Sequence, residues 1–299
     1  MIERGIGSFM NLEMELGTTF RLSSKLNEIP RIVYRTFGDT NILEQFKIWG
    51  IENYQRHDNK YSESNYLEWK DLILDSDLLC SPSKLAFTIN VIDAIVEWYD
   101  NTDEDVCIFC SDDLNFSNTQ YWPFDWKFLM QQLPYNWDCI QLTAYSMEYI
   151  SMHMHPWIKT LGHKCFMITR YFAKRLKHYH YLEGKYKLHY TTPDRSISIN
   201  DYGTLNEFFY DLGITYTFPI FSHTQDTLKS NDNEEKMYQT CSEGIDYWWK
   251  QKSNLFSNYE FFNYRKDDDE WKMELQFELR ADNTLEVYMD KMRAIRIWI

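Results

Sequence analysis

Between Val106 and Leu114 the chain passes from a continuous apolar run, Val106-Cys107-Ile108-Phe109-Cys110, directly into Ser111-Asp112-Asp113. Asp103-Glu104-Asp105 bounds the run on its other side. A run this short is no surface helix; it reads as a strand buried on both faces, of the kind found in parallel sheets. Two carboxylates then stand at the C-terminal end of a central strand, where open α/β sheets place their ligands. The alternative is an Asp-Asp pair that merely opens a polar loop, and the surrounding elements decide between the two.

Those elements read as α/β units. Residues 29–37 form a strand with Ile32, Val33 and Tyr34 at its core. Its Arg31 and Arg35 either approach a nucleotide phosphate or base, or are ordinary surface arginines. Ile42, Leu43, Phe46 and Trp49 space a helix over 41–49 that Gly50 ends, and 51–56 is the next strand. After a polar stretch with a short helix near 66–74, Ser81-Pro82 supplies a cap and a first-position proline. Leu85, Ile89, Ile92, Ile95, Val96 and Tyr99 then mark one face of a helix over 82–99 that feeds the 106–110 strand. Further on come a helix at 126–133 stopped by Pro134, strands at 137–142 and 162–169, and a basic helix at 171–179. Residues 178–190 read as a loop, 205–212 as a helix closed by Gly213, and 214–221 as a strand. The polar stretch 222–243 reads as a loop. Beyond it, alternation over 271–279 and 285–289 around an Ala281-Asp282-Asn283 turn predicts a hairpin. The expected organisation is an α/β domain over 1–243 and a small β-rich extension over 244–299, the latter a candidate surface for homo-oligomers.

A formal charge of −14 over 299 residues disfavours a nonspecific nucleic-acid binder, which needs a positive footprint. It does not disfavour a nucleotide, whose diphosphate a divalent cation and one or two basic side chains can neutralise. The six cysteines sit among apolar neighbours and read as buried thiols of a reducing, cytoplasmic compartment, the host's cytoplasm for a viral chain. Cys107 and Cys110 are spaced as CxxC, but on a strand they face opposite sides, so zinc is not expected there. His153 and His155, two apart, are a weak metal signal without a third ligand. No apolar run approaches membrane-spanning length.

In their order, five segments resemble the glycosyltransferases related to bacterial lipooligosaccharide galactosyltransferases and collagen galactosyltransferases, family 25. The first is one run, in which Cys80 and Ser83 open a helix that leads to the 106–113 strand and acid pair, and the second is Trp137-Asp138-Cys139-Ile140-Gln141-Leu142. The remaining three are Gly162 to Leu176, with Ala173 and Lys174, Asp201 ahead of Leu205, and a late strand from Phe218 to Gln225. The chain departs from that pattern at Ser111, where the family has Glu, and at Lys84, where it has His; its early Asn-Leu-x-x-Arg signature survives only around Arg31 and Arg35. The resemblance implies a GT-A-like fold: a Rossmann-like mixed sheet flanked by helices, with the β extension appended. It implies transfer of a hexose, such as galactose, from a UDP-sugar to a glycan or protein-linked hydroxyl, as in lipopolysaccharide or other glycan biosynthesis. It further implies Mn²⁺ or Mg²⁺ held by Asp113 with Asp112, a base at Asp201 with Asp138 in reserve, and donor contacts from Arg31, Arg35, Lys84 and Asp112. Two other classes use the same residues: a metal-dependent phosphatase or nucleotidyltransferase, and a non-catalytic carbohydrate-binding descendant.

Overall fold

The computed structural model describes residues 24–36, 42–74, 80–146, 149–158, 160–188, 204–223 and 233–263, and the backbone of three short segments beyond them. β1 (Arg31–Thr36) leads through α1 (Ile42–Trp49) to β2 (Tyr54–Asp58). α1 stops because Gly50, at φ 66°, takes the left-handed conformation that lets the Ile51 N–H donate to the Phe46 carbonyl at 2.8 Å. α2 (Pro82–Asn101) then returns the chain to β3 (Val106–Ser111). It begins where Ser81 Oγ accepts from the Lys84 N–H and Pro82 fills the first helical position. β4 (Leu114–Asn115), α3 (Trp126–Gln132), β5 (Cys139–Gln141), β6 (Tyr149–Ser151), β7 (His155–Pro156) and β8 (Cys165–Thr169) follow. α4 (Arg170–His180), capped by Thr169 Oγ1, runs into the hairpin of β9 (Tyr181–Leu182) and β10 (Lys185–Tyr186). β11 (Thr215–Thr217), β12 (Ser222–His223) and α5 (Asn233–Lys252) close the described core.

Among the described residues the main sheet has seven strands in the order β2-β1-β3-β8-β5-β11-β7. It is mixed and flanked by helices, as the sequence implies. The expectation of a parallel setting for β3 is half met: β3 is parallel to β1, but β8 runs antiparallel between β3 and β5. An apolar run buried on both faces carries no sign of strand direction, which is why the parallel expectation holds on one side of β3 only.

Side chains alternate across the sheet and feed two cores. On one face Ile32, Tyr34, Ile108, Cys110 and Met167 pack with Phe46 and Trp49 of α1; on the other Val33, Phe109, Phe166 and Ile168 pack with Ile89 and Ile92 of α2 and Leu176 of α4. Cys107 and Cys110 accordingly fall in different cores, and all six cysteines are buried thiols outside any disulfide. From β1 the chain crosses one face through α1 to reach β2, then crosses the other face through α2 to reach β3 on the far side of β1. Connections that diverge to opposite faces leave a crevice at the C-terminal ends of the two strands between them, here β1 and β3.

Two loop expectations are corrected. Residues 233–243 are not loop but the first half of α5, which runs on through residue 244, the start of the expected extension. Cys241, Ile245 and Trp248 form its buried stripe; Trp249 donates from Nε1 to the Pro219 carbonyl at 2.9 Å and stacks on Phe261. Residues 181–186 form a hairpin whose turn residues Glu183 and Gly184 both have positive φ. The hairpin expected near the C-terminus is present as backbone pairing of Glu278–Leu279 with Leu285–Glu286, while Lys272–Glu274 pairs with β6 of the same chain. No described helix is long and apolar enough to cross a membrane.

Candidate functional site

The crevice between β1 and β3 is where register puts the sequence-predicted residues to the test. Arg35 pairs with Ser111 on one side and with His57 on the other, so these three stand level at the C-terminal edge of the strands. Asp112 and Asp113 form the turn that follows, before β4 pairs with β12. Because β8 is antiparallel, its beginning lies beside the end of β3, and this brings Lys164 to the same edge.

Asp113 is the centre of a network. Ser111 Oγ donates to its Oδ1, and Lys164 Nζ donates to its Oδ2 at 2.6 Å. His223 Nδ1 faces Oδ1 at 3.6 Å, and His223 Nε2 meets the Tyr145 hydroxyl. The tautomer that satisfies both neighbours has Tyr145 donating to Nε2 and an Nδ1–H directed at the carboxylate. Burial would push Asp113 upward, but His223 and Lys164 outweigh it and hold the carboxyl well below its usual range. Burial holds His223 below its ordinary value, with Asp113 pulling the other way. Asp112 is buried at the turn, its N–H donating to the Arg35 carbonyl at 3.1 Å.

Arg35 has no exposed surface. Its Nη2 donates to the His163 carbonyl at 3.2 Å and its guanidinium lies 4.8 Å from the centre of the Phe87 ring. Burial draws it down to about 10, against the upward pull of Cys110, Asp113 and Asp112, so it remains a fixed positive charge beneath the acid pair. Lys84 stands in the first turn of α2, one turn ahead of Phe87, and so at the crevice edge of the sheet.

Two expected site residues lie at the other edge. Arg31 is at the start of β1, where its Nε is 2.8 Å from Glu104 Oε2. Asp138 precedes β5, its carbonyl accepting from Thr169 N–H at 2.9 Å and its Oδ2 from Ile214 N–H at 2.9 Å. Thr169 pairs with Val106 at the beginning of β3, and five residues of strand separate that level from Ser111, about 17 Å at roughly 3.3 Å per residue. Asp138 therefore ties β5 to the Gly213-Ile214 corner, where a Cβ on Gly213 would lie 2.6 Å from the Asp138 Cβ. Asp201 lies outside the described residues.

Whether the acid pair suits a cation can be judged from its partners. Asp113 Oδ2 already carries an ammonium, and no third carboxylate or imidazole completes a metal cage with Asp112 and Asp113 among the described residues. Such a pair does not match a resident ion; it matches a cation that arrives with phosphate oxygens, the way Mg²⁺ is taken up by one or two carboxylates. A group of three potential ligands does exist elsewhere: His57, Asp93 and Glu97 offer ligand atoms within 4.8 Å of one another and could hold a divalent metal. His153 and His155 lie with ring centres 5.6 Å apart and belong to no such group among the described residues.

Sequence reasoning did not find Lys164, Tyr145 or His57. Their signal is topological: Lys164 joins the acid pair only once β8 is known to be antiparallel, His57 joins its cluster only once β2 is placed against α2, and Tyr145 enters through its contact with His223.

No protein-family model and no curated protein matches the chain, so membership of family 25 is not shown. Among solved structures the chain is similar to A197 from STIV, at 10% identity and TM-score 0.37 over 66% of this chain and 87% of that one. It is also similar to HddC from Yersinia pseudotuberculosis, at 10% identity and TM-score 0.30 over 77% and 83% respectively. Likenesses this loose transfer neither a site nor an activity.

Proposed function

We propose that this chain is a glycosyltransferase that moves a hexose from a nucleotide-diphosphate sugar to a hydroxyl of a glycan or protein-linked acceptor. The observation that carries the reading is the Asp112-Asp113 turn at the C-terminal end of β3, facing β1 across the reversal of strand order. In the reaction the acceptor oxygen bonds to the anomeric carbon, the bond from that carbon to the diphosphate oxygen breaks, and the acceptor proton passes to a base. The resemblance assigns that base to Asp201. A divalent ion bound with the donor would supply Lewis-acid neutralisation of the leaving diphosphate. Lys164 has a task on either side of that event: it balances Asp113 before the donor binds and turns to a phosphate oxygen afterwards, which leaves Asp113 and Asp112 to the cation. Arg35 adds a buried positive charge that does not move, and Lys84 would meet the phosphates from the first turn of α2.

The test is a panel of UDP-, GDP- and CMP-sugars with and without Mn²⁺, reading nucleotide release and calorimetric binding. One donor is expected to be bound and turned over with the metal, and Asp113→Asn to reduce turnover by about a hundredfold or more, on the scale of lost charge stabilisation at a reacting phosphate. If no donor is bound or cleaved under any condition, the proposal fails. A second reading, binding without turnover, draws on the Lys164–Asp113 pair and on Ser111 in place of a carboxylate. Its signature is donor affinity that survives Asp113→Ala with no nucleotide release from either protein.

A further inference from the structure

The cluster of His57, Asp93 and Glu97 is independent of the acid pair and of any reading of it. His57 sits near the end of β2, while Asp93 and Glu97 are one turn apart on the face of α2 turned toward it. Two carboxylates four residues apart on a helix repel each other unless a cation stands between them. Lys60 supplies one, its Nζ 2.7 Å from Asp93 Oδ2, through a side chain that is more than half exposed. Tyr186 donates its hydroxyl to Asp93 Oδ1 at 3.2 Å, and His57 Nδ1 is 2.9 Å from Glu97 Oε2. One atom is left over. His57 Nε2 is buried, makes no hydrogen bond, and points at Asp93 Oδ2 from 3.5 Å. A buried imidazole nitrogen without a hydrogen-bond partner, aimed at a carboxylate that a flexible lysine shields, is what a metal ligand looks like before the metal arrives.

We infer that His57, Asp93 and Glu97 form a binding site for a transition-type divalent cation of the Zn²⁺ class, in which the ion replaces the Lys60 ammonium. The donor set of one imidazole and two carboxylates favours such an ion over Mg²⁺ or Ca²⁺, which take oxygen ligands throughout. With ligand bonds of about 2.0–2.2 Å, the edges of a zinc tetrahedron are about 3.3 Å. The 3.5 Å between Nε2 and Asp93 Oδ2 already fits such an edge. Glu97, more than a third exposed, closes the remaining distance by rotating its side chain. Three protein ligands leave the fourth position to solvent on the side where Lys60 now lies. The ion would clip the edge strand β2 to α2 at the level of Arg35 and Ser111, and so hold one wall of the crevice.

The experiment uses the full chain, stripped with EDTA and dialysed, with no nucleotide present. Zn²⁺ is titrated calorimetrically, metal content is measured after gel filtration, and Co²⁺ is substituted to read its visible absorption. One Zn²⁺ per chain is expected, with affinity reduced at least tenfold in His57→Ala and in Glu97→Gln, raised in Lys60→Met, and unchanged in Asp113→Asn. Glu97 is partly exposed, so Glu97→Gln keeps the test valid where His57→Ala fails to fold. No binding to the wild-type chain overturns the inference. Binding that is lost in Asp113→Asn but intact in Glu97→Gln also overturns it, since the ion would then belong to the acid pair.

Discussion

Replacing His163 with phenylalanine isolates one buried titration beside the crevice. The imidazole precedes Lys164, lies nearly parallel to the Tyr210 ring at 4.7 Å between centres, and has an Nε2 with no hydrogen-bond partner. Burial, reinforced by the Arg35 charge, pushes it down to about 3, whereas an unfolded histidine titrates near 6.5. Because the folded value is the lower one, the unfolded chain binds the extra proton between pH 6.5 and 3. Stability is therefore full above pH 6.5 and declines as pH falls, by about 1.4 kcal/mol per pH unit, or about 2 kcal/mol at pH 5. Phenylalanine keeps the stack and cannot take a proton. His57, His155 and His223 are lowered in the same direction, but they are present in both proteins and cancel in the comparison. Urea unfolding of both at pH 7.5, 6 and 5 should show the variant gaining about 2 kcal/mol on the wild type between the first and last points. Stability curves that stay parallel across that range would refute the argument.

Asp138→Asn should lower stability by about 1 kcal/mol, the cost of weakening the bond from Ile214, while leaving donor turnover within a few-fold of wild type; a hundredfold loss of turnover at unchanged melting temperature would instead mark Asp138 as a catalytic group. Trp249→Ala should cost about 3–5 kcal/mol, since the ring is fully buried against Phe261 and tied to Pro219, and a loss below 1 kcal/mol by urea denaturation would mean that α5 is not part of the core.

Elements whose local signals agree with their packing were legible in the sequence. Ser81-Pro82 and the Leu85–Val96 stripe define α2 without reference to anything distant, and Gly50 ends α1 through its own backbone. α5 was missed for an identifiable reason. Its buried stripe of Cys241, Ile245 and Trp248 has helical spacing, but an assumed boundary at residue 243 cut the stripe in two and left the polar first half to read as loop. Asp138 lies at the start of β5, which runs parallel to β3, so it stands level with Val106 rather than with the acid pair at the end of β3. Lys164, two residues after the expected start of a strand and unremarkable in sequence, reaches the acid pair because that strand is reversed.

Charge balance links the acid pair to the proposed substrate. Asp112 and Asp113 are opposed by Arg35 beneath them and Lys164 beside Asp113, two negative groups against two positive ones, so these four side chains balance despite the −14 of the whole chain. A nucleotide-sugar diphosphate entering alone would add about two negative charges, and a divalent cation entering alone would have to displace Lys164 from an ion pair it cannot replace with anything better. Entering together they cancel, and the displaced ammonium finds a phosphate oxygen instead of water. On this reading donor and metal must each raise the other's affinity by the same factor. Under the proposed function the edge of β3 would take metal and diphosphate together, because each half alone leaves a charge in the crevice unanswered.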